Sequence, residues 1–260
     1  GGLSDGFLGE RLAKALAVEG VDLSAAVRSA APTTLALVGL DARGVASYAF
    51  YGAGAADRML DPATLDRVPR AAAYHFGSYS MVVEPVASTL RALVAREHGR
   101  AVISWDPNVR PTVEPDLGVW RRLFDAMVPR CDLLKVSEED LALLHPGADP
   151  ADLAARWRAA GVGLVVVTRG GDGVSAFGAA GRIDLAAKPV AVVDTVGAGD
   201  TFQAALLAGL DERDLLTAER IATIGRDDLA AVLDFASRAA AITCSRRGAD
   251  LPRRADLAGA

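Results

Sequence analysis

Short apolar runs alternate along most of the chain with longer segments in which apolar residues recur every three or four positions. The short runs, bounded by turn residues, predict buried strands, and the second pattern predicts amphipathic helices. The predicted strands are 72–76, 101–105, 132–136 and 163–168, and the predicted helices are 84–97, 119–127, 138–144 and 152–160. Strands that alternate with helices in this way form βαβ units around a parallel sheet.

The first part of the chain has a different pattern. Residues 1–9 are rich in glycine and predict a loop, which a helix over 10–18 follows. Strands 33–40 and 46–51, joined by a turn at 41–44, predict an antiparallel hairpin. Later elements are short strands at 174–177 and 182–185 and one long helix over 228–242. We therefore expect an α/β fold, a three-layer doubly wound and mainly parallel sheet, with residues 33–57 contributing to a small antiparallel β lid on a single domain, 1–260.

Composition narrows the class of function. A chain of 260 residues, 51% of them hydrophobic, can bury a large core. Its net charge of −5 gives no basic footprint for nucleic acid, and no apolar stretch or signal pattern indicates a membrane. Two distant cysteines and three histidines lack the spacing of a metal site. We expect a cytoplasmic protein with reduced cysteines.

The segment from Asp194 to Phe202 reads as a glycine-rich turn that leads from a strand ending at Val193 into a helix that begins near Asp200. Free N–H groups at a helix start form an anion site. The spacing is neither that of a Walker loop nor that of the dinucleotide fingerprint. A carboxylate beside an anion site repels the anion unless it accepts a proton from the group that attacks it, which suggests phosphoryl transfer. From the residues alone, Asp200 could equally be a helix cap.

This segment, Asp-Thr-Val-Gly-Ala-Gly-Asp-Thr-Phe, resembles the C-terminal signature of the PfkB (ribokinase-like) family of carbohydrate kinases. The resemblance implies that Asp200 is the catalytic base. It also implies that the amides of Gly197, Ala198 and Gly199 form the anion hole, and that the fold is ribokinase-like.

A second segment, Asp106-Pro107-Asn108-Val109-Arg110-Pro111, follows the strand 101–105. On its own it reads as a proline-stiffened turn with an internal Asp–Arg pair. It resembles the Asp-Pro-Asn-x-Arg-Pro segment of fructokinase-type members of the family. That resemblance implies that Asn108 and Arg110 face the sugar and the transferring phosphate, with Asp106 as a less definite member of the site.

A third segment, from Ser137 to Asp140, follows the strand 132–136 and is sufficiently explained as a helix N-cap with acids in the first turn. The family carries Asn-x-x-Glu here, and Lys135-Val136-Ser137 resembles a Lys-x-Ser variant found in fructokinase-like members. The resemblance implies that Ser137 lies at the ATP phosphates and that Asp140 holds Mg²⁺ through water.

The remaining segments resemble the family's nucleotide half. The run from Thr168 to Gly173 is, by itself, a tight β-turn, and it resembles a nucleotide loop in which Thr168, Gly170 and Gly173 approach ATP. Ser237 stands where relatives place a residue near the adenine. The loop 243–250, which also reads as a helix C-cap at Gly248, resembles one that binds a monovalent cation together with Asp194.

Taken together, the resemblance implies ATP-dependent phosphorylation of a sugar primary hydroxyl, with a ketohexose favoured. ATP and Mg²⁺ are the implied cofactors, K⁺ is a further candidate, and a homodimer through the lid is expected. Two alternatives stay open: another kinase of this family, for 2-keto-3-deoxygluconate, ribose or a nucleoside, and a nucleotide-binding protein without catalysis. An unrelated α/β binding module would need four matched loops to coincide by chance. The family's first strand and Gly-Gly loop have no counterpart here, so we expect the sugar half to be less well represented than the phosphate half.

Overall fold

The computed structural model describes residues 1–40 and 46–257. The predicted hairpin turn at 41–44 lies outside these residues. By its internal packing the chain divides into two compact units. The first comprises Gly1–Ala71, Phe76–Arg96 and Val109–Leu123, and the second comprises Ala72–His75, Glu97–Asn108 and the chain from Phe124 onward.

The first unit holds two small sheets. Strands β1 (Gly2–Ser4) and β2 (Val27–Ser29) pair in parallel, with helix α1 (Phe7–Val18) between them in the chain. Strands β3 (Leu35–Leu40) and β4 (Ala46–Tyr51) pair antiparallel, with Leu35 opposite Tyr51. The predicted antiparallel hairpin is therefore confirmed.

The prediction of a loop over residues 1–9 is wrong in part, since it contains β1 and the first turn of α1. The reason is a close approach of backbone to backbone. A Cβ on Gly9 would lie 1.9 Å from the carbonyl oxygen of Ser4, so α1 folds back onto β1 as only glycine allows. The hydroxyl of Ser4 also accepts the N–H of Gly6, at 3.1 Å. These glycines serve packing and do not mark a loop.

A six-stranded sheet has the strand order β10-β9-β8-β7-β6-β5, and all of it except the last two residues of β5 belongs to the second unit. Strands β6, β7 and β8 are parallel, and β9 and β10 continue the sheet antiparallel. The strands are β5 (Ala73–Gly77), β6 (Val102–Asp106), β7 (Leu133–Ser137), β8 (Leu164–Thr168), β9 (Val174–Gly178) and β10 (Gly181–Leu185). The expected α/β architecture, with a mainly parallel sheet, is confirmed.

Helices follow most of these strands, as the apolar periodicity predicts. The helices after α1 are α2 (Val86–Glu97), α3 (Leu117–Met127), α4 (Glu138–Leu144), α5 (Pro150–Ala159), α6 (Ala198–Asp211), α7 (Ala218–Ala222), α8 (Arg226–Cys244) and α9 (Arg254–Leu257). The bounds of α1 to α5 and of α8 lie within a few residues of those predicted, and α6 begins near Asp200 as predicted, whereas α7 and α9 were not predicted. In the described ranges, no helix combines the length and apolar character needed to cross a membrane.

The core of the second unit lies between the sheet and the helices α6 and α8. Leu206 and Leu210 of α6 and Val232 of α8 are fully buried within it. A Cβ on Gly209 would lie 3.2 Å from the ring of Phe235, which shows how closely the two helices approach. This packing anchors α6 in the core, and the predicted catalytic carboxylate lies at the N-terminal end of that helix.

Candidate active site

The N-terminus of α6 forms around a glycine in the left-handed conformation. Gly197 is the N-cap, with φ of 79°, and Asp200 is the third residue of the helix. A Cβ on Gly197 would also lie 2.9 Å from the Cβ of Ala249. Backbone conformation and packing both require glycine here, and Asp200 is left exposed at the start of the helix.

A chain of hydroxyl groups holds this turn. Thr201 donates its hydroxyl to the carbonyl oxygen of Gly197 at 2.9 Å, and its N–H bonds to the same oxygen at 2.8 Å. The Thr201 and Thr243 hydroxyl oxygens are 2.9 Å apart. Because the proton of Thr201 is already donated, Thr243 is the donor in that pair. The end of α8 therefore braces the first turn of α6.

The carboxylate of Asp194 holds together the loop that precedes α6 and the loop that follows α8. This carboxylate accepts the N–H of Val196 at 3.0 Å and the N–H of Gly248 at 2.9 Å. These bonds hold the pKa of Asp194 below its ordinary value, and the charge of Arg247 adds to the effect. The structure thus gives Asp194 a clamping role, and its role toward a monovalent cation stays a prediction.

The predicted strand end at Val192 and Val193 is wrong. Both side chains are exposed, at 64% and 62%, and neither residue belongs to a strand. The N–H groups of Val193 and Asp194 bond to the carbonyl oxygen of Cys244 at the end of α8, at 2.8 and 3.2 Å. β-branched residues indicated a strand, but the backbone here pairs with a helix end.

The three amides predicted for the anion hole differ in their surroundings. The N–H of Ala198 bonds to the carbonyl oxygen of Thr195 at 3.2 Å, which closes the turn. Gly197 is the N-cap, and Gly199 is the second residue of the helix. Amides in the first turn have no acceptor within their own helix. Of the three, Gly199 has the position best suited to an anion, and the role of all three stays a prediction.

The sequence did not predict that the ammonium group of Lys135 lies beside the first turn of α6. Lys135, on β7, donates to Asp106 Oδ2 at the end of β6, with 2.7 Å between Nζ and the oxygen. Both side chains are 5% exposed. Burial raises the pKa of Asp106 and the Lys135 ammonium opposes that rise, while the charges of Asp140 and Asp200 add to it. The Lys-x-Ser pattern was the only signal, and pattern alone could not pair residues 29 positions apart.

The other two residues of the Asp-Pro-Asn-x-Arg segment fall in different units. Asn108 belongs to the second unit and adopts a φ of 42°, which a residue other than glycine takes rarely. Arg110 belongs to the first unit, where its guanidinium donates to the carbonyl oxygen of Val109 at 3.0 Å. The roles of Asn108 and Arg110 toward sugar and phosphate stay predictions.

Ser137 and Asp140 form a capping box at the start of α4. The hydroxyl of Ser137 accepts the N–H of Asp140 at 3.0 Å, and Asp140 Oδ2 accepts the N–H of Ser137 at 3.5 Å. The cap interpretation is thus confirmed. Within residues 1–40 and 46–257, no group of three or more His, Cys, Asp or Glu side chains could enclose a metal ion. The role of Asp140 toward Mg²⁺ through water stays a prediction.

The segment from Thr168 to Gly173 is a tight connection between antiparallel strands. Thr168 ends β8, Gly170 has a φ of 52° with open space around it, and the N–H of Arg169 bonds to the Gly173 carbonyl oxygen at 2.8 Å. A Cβ on Gly173 would lie 2.1 Å from the carbonyl oxygen of Leu185. Packing against β10 therefore explains Gly173, while Thr168 and Gly170 remain candidates for nucleotide contacts.

Ser237 lies half-buried on α8. A groove of about 300 Å³ runs along the next turn of this helix, and its lining residues are Lys188, Pro189, Val190, Arg238, Ala241, Ile242 and Ser245. Ser237 is one turn before Ala241 but does not line the groove. Its predicted contact with adenine stays a prediction.

The side chains of His75, Ser104 and Gln203 are linked by hydrogen bonds. His75 Nδ1 is 3.1 Å from the hydroxyl of Ser104, which also accepts the side-chain amide of Gln203 at 2.8 Å. Desolvation lowers the pKa of His75 to about 4, with Lys135 adding to the shift and Asp200 opposing it. His75 as a whole is exposed and is not part of the core.

Comparison with known proteins decides the family. The model for "pfkB family carbohydrate kinase" matches residues 1–256. The chain belongs to this family. Among curated members of the pfkB family, it is 38% identical to a fructokinase of Rhizobium leguminosarum bv. trifolii, over 97% of this chain and 76% of that protein. It is 34% identical to fructokinase-1 of Oryza sativa subsp. japonica, over 96% of this chain and 77% of that protein.

Solved structures of pfkB-type proteins agree with the fold. Xylella fastidiosa fructokinase with bound ATP superposes with a TM-score of 0.86, at 24% identity, over 100% of this chain and 83% of the other. Vibrio cholerae fructokinase, in a form with fructose, ADP and calcium ion, superposes with a TM-score of 0.82 at 23% identity, over 100% and 83% of the two chains. The predicted ribokinase-like fold and the predicted enzyme class, a carbohydrate kinase, are confirmed.

Proposed function

We propose that this chain transfers the γ-phosphoryl group of ATP to a primary hydroxyl of a ketohexose, with fructose as the first candidate. The placement of Asp200 carries the proposal: a carboxylate in the first turn of a helix, beside a left-handed glycine, at a point where an anion would bind. The similarity to fructokinases supports the choice of sugar.

In this mechanism Asp200 acts as general base. The hydroxyl oxygen of the sugar attacks the γ-phosphorus, its proton passes to the Asp200 carboxylate, and the bond from phosphorus to the β,γ-bridging oxygen breaks to release ADP. The amides of the first turn and the dipole of α6 stabilise the charge that develops on the phosphoryl oxygens. A positioned base contributes about 10²–10⁴-fold to the rate.

The chemistry of the donors present suits Mg²⁺ held through water. Mg²⁺ retains several waters and takes one or two carboxylates in phosphate-transfer sites. Asp140 is buried in the first turn of α4, which follows β7, and the charges of Asp140 and Asp200 both act on Asp106. When bound, Mg²⁺ would neutralise charge on the phosphates. We assign Asp140 to its water shell.

We extend the proposal to K⁺ and to a homodimer. The loop that Asp194 clamps to Gly248 is the candidate K⁺ site. Replacing KCl by choline chloride in the assay should therefore lower the rate of phosphorylation.

The homodimer would form through the lid, that is, through β3 and β4. The exposed side chains of Leu35, Leu37 and Tyr51 belong to paired positions of these strands and supply an apolar face for a second copy. Leu37→Lys should convert a dimer to a monomer in light scattering.

The decisive test is ADP formation with Mg²⁺ and ATP against a panel of fructose, glucose, ribose, 2-keto-3-deoxygluconate and adenosine. We expect fructose to give the highest kcat/KM and a phosphomonoester on a primary carbon by ³¹P NMR. A higher kcat/KM for another compound would reject the ketohexose assignment and keep the kinase. No ADP formation above background hydrolysis with any of them would reject the function.

A further inference from the structure

The ion pair between Lys135 and Asp106 is buried, and burial makes it a poor source of stability. Taking two charges out of water costs about as much as their attraction returns, and apolar side chains of similar size often stabilise a protein as well. Both side chains are only 5% exposed. A pair in this setting therefore calls for a reason other than stability.

Its position supplies the reason. Lys135 Nζ lies 3.3 Å from where a Cβ of Gly199 would be, so the ammonium packs against the first turn of α6, one residue before Asp200. A cation at a helix N-terminus is unfavourable to the helix dipole. The fold nevertheless places one here, and Asp106, only 2.7 Å away, holds it in place.

The pair also lies among other charges of the site. Lys135 contributes to the lowered pKa of His75, and Asp140 and Asp200 contribute to the raised pKa of Asp106. One ammonium thus lies among three carboxylates, those of Asp106, Asp140 and Asp200.

The pair is also incomplete. Asp106 Oδ1 is buried without a hydrogen-bond partner in the part of the chain that the structure describes. A purely structural pair would have its oxygens satisfied, whereas this oxygen remains available at the edge of the site.

We propose that Lys135, held by Asp106, is a positioning residue for the phosphoryl transfer described above. It fixes the first turn of α6 and with it the carboxylate of Asp200. The inference rests on the proposed function for its effect on rate. The positioning of the turn itself can be measured without turnover.

The test replaces the ion pair by an apolar pair. Lys135→Met and Asp106→Leu are made singly and together. Each single variant should unfold at lower urea concentration because it leaves a buried charge alone, and the double variant should recover the wild-type midpoint. The control is the exposed pair of Arg254 and Glu212, 2.7 Å apart in the same unit, replaced by Met and Leu.

Two measurements on the stable double variant test whether Lys135 positions the first turn of α6. Hydrogen exchange of the peptide covering residues 197–203 should quicken by about tenfold, while the control matches wild type. The kcat for the sugar that the wild type uses should fall by about 10–100-fold, with both KM values nearly unchanged. Wild-type exchange together with wild-type kcat would overturn the proposal.

Two further outcomes are distinguishable. If the wild type phosphorylates no sugar, the proposed function fails, and exchange alone decides the positioning: quicker exchange supports it and unchanged exchange overturns it. If the Met/Leu pair does not fold, Lys135→Gln with Asp106→Asn removes both charges while leaving two polar side chains, and it receives the same two measurements. Wild-type values in that folded pair would overturn the proposal.

Discussion

The N–H of Gly248 donates a hydrogen bond of 2.9 Å to Asp194 Oδ2, across 54 positions of sequence. The other oxygen of the same carboxylate accepts the N–H of Val196 at 3.0 Å. One side chain therefore ties the loop after α8 to the loop before α6. Because the helix that carries Asp200 begins directly after this clamp, the geometry of the candidate site depends on a contact between two loops that are far apart in the sequence.

The clamp predicts an acid-dependent loss of stability in which Asp194 takes part. Its folded-state pKa is lowered, so the stability it contributes is present above the unfolded pKa of about 4 and is lost as the pH falls through the folded value. Asp194→Asn should therefore unfold at lower urea concentration than wild type at about pH 6, and the difference should shrink toward about pH 3.5. The exposed Asp125→Asn is the control. A difference that does not depend on pH would contradict the ionic clamp.

The hydrogen bond between Thr201 and Thr243 leads us to expect unequal losses of stability when either residue is replaced by valine. Thr201→Val leaves the fully buried hydroxyl of Thr243 without its acceptor, which should cost about 1–3 kcal/mol in urea unfolding. Thr243→Val leaves the bond from Thr201 to Gly197 intact and should cost less. The double variant removes both hydroxyls and should be more stable than Thr201→Val alone. Additive losses in the double variant would show that the two hydroxyls do not interact.

The second unit shows how much pattern can predict. Strands β6, β7 and β8 were found within one residue, because short continuous apolar runs between turn residues are typical of buried strands. α4 was found at its actual bounds since Ser137 caps it visibly in the sequence. An element can therefore be predicted from sequence when contacts within its own segment stabilise it, or when it is buried along its whole length.

The errors have a common physical origin. Val192 and Val193 have strand propensity, but their loop bonds to the end of α8, a partner about 50 positions away. Lys135 was visible as a motif residue, yet its pairing with Asp106 depends on which strands are neighbours in the sheet. Propensity and motif describe a residue's own segment, whereas these functions of the residues depend on tertiary neighbours.

Replacing Gly197 by alanine should lower the stability of the fold for two reasons, the left-handed backbone and the contact with Ala249, and these can be measured separately. Gly197→Ala would place an L side chain at φ of 79° and bring its Cβ to 2.9 Å from the Cβ of Ala249. Gly99→Ala is the matched control, because Gly99 has φ of 77° with open space around it. The left-handed conformation alone costs about 1–2 kcal/mol. We expect Gly197→Ala to lose more than Gly99→Ala in urea unfolding. Equal losses would show that Ala249 yields without cost.

His75 predicts a titration well below the usual range. Its pKa of about 4 means that the ring is neutral at about pH 6–8 and that the folded protein loses stability as the pH falls from about 6.5 toward 4. The ring resonances should therefore titrate near pH 4 in NMR spectra. Lys135→Met removes one cause of the shift and should raise the midpoint. A wild-type midpoint above about 6 would contradict the lowered pKa expected for this ring.

Asp200→Asn is expected to lower kcat by about 10²–10⁴-fold, because the amide cannot accept the proton of the attacking hydroxyl. The substitution keeps the shape of the side chain at the start of α6, so ATP should bind with an affinity close to wild type in calorimetry. Asp211→Asn, the same change at the exposed C-terminal end of the same helix, is the control and should leave kcat unchanged. A kcat within a few-fold of wild type in Asp200→Asn would reject Asp200 as the base, and Asp200 would then serve the helix dipole alone.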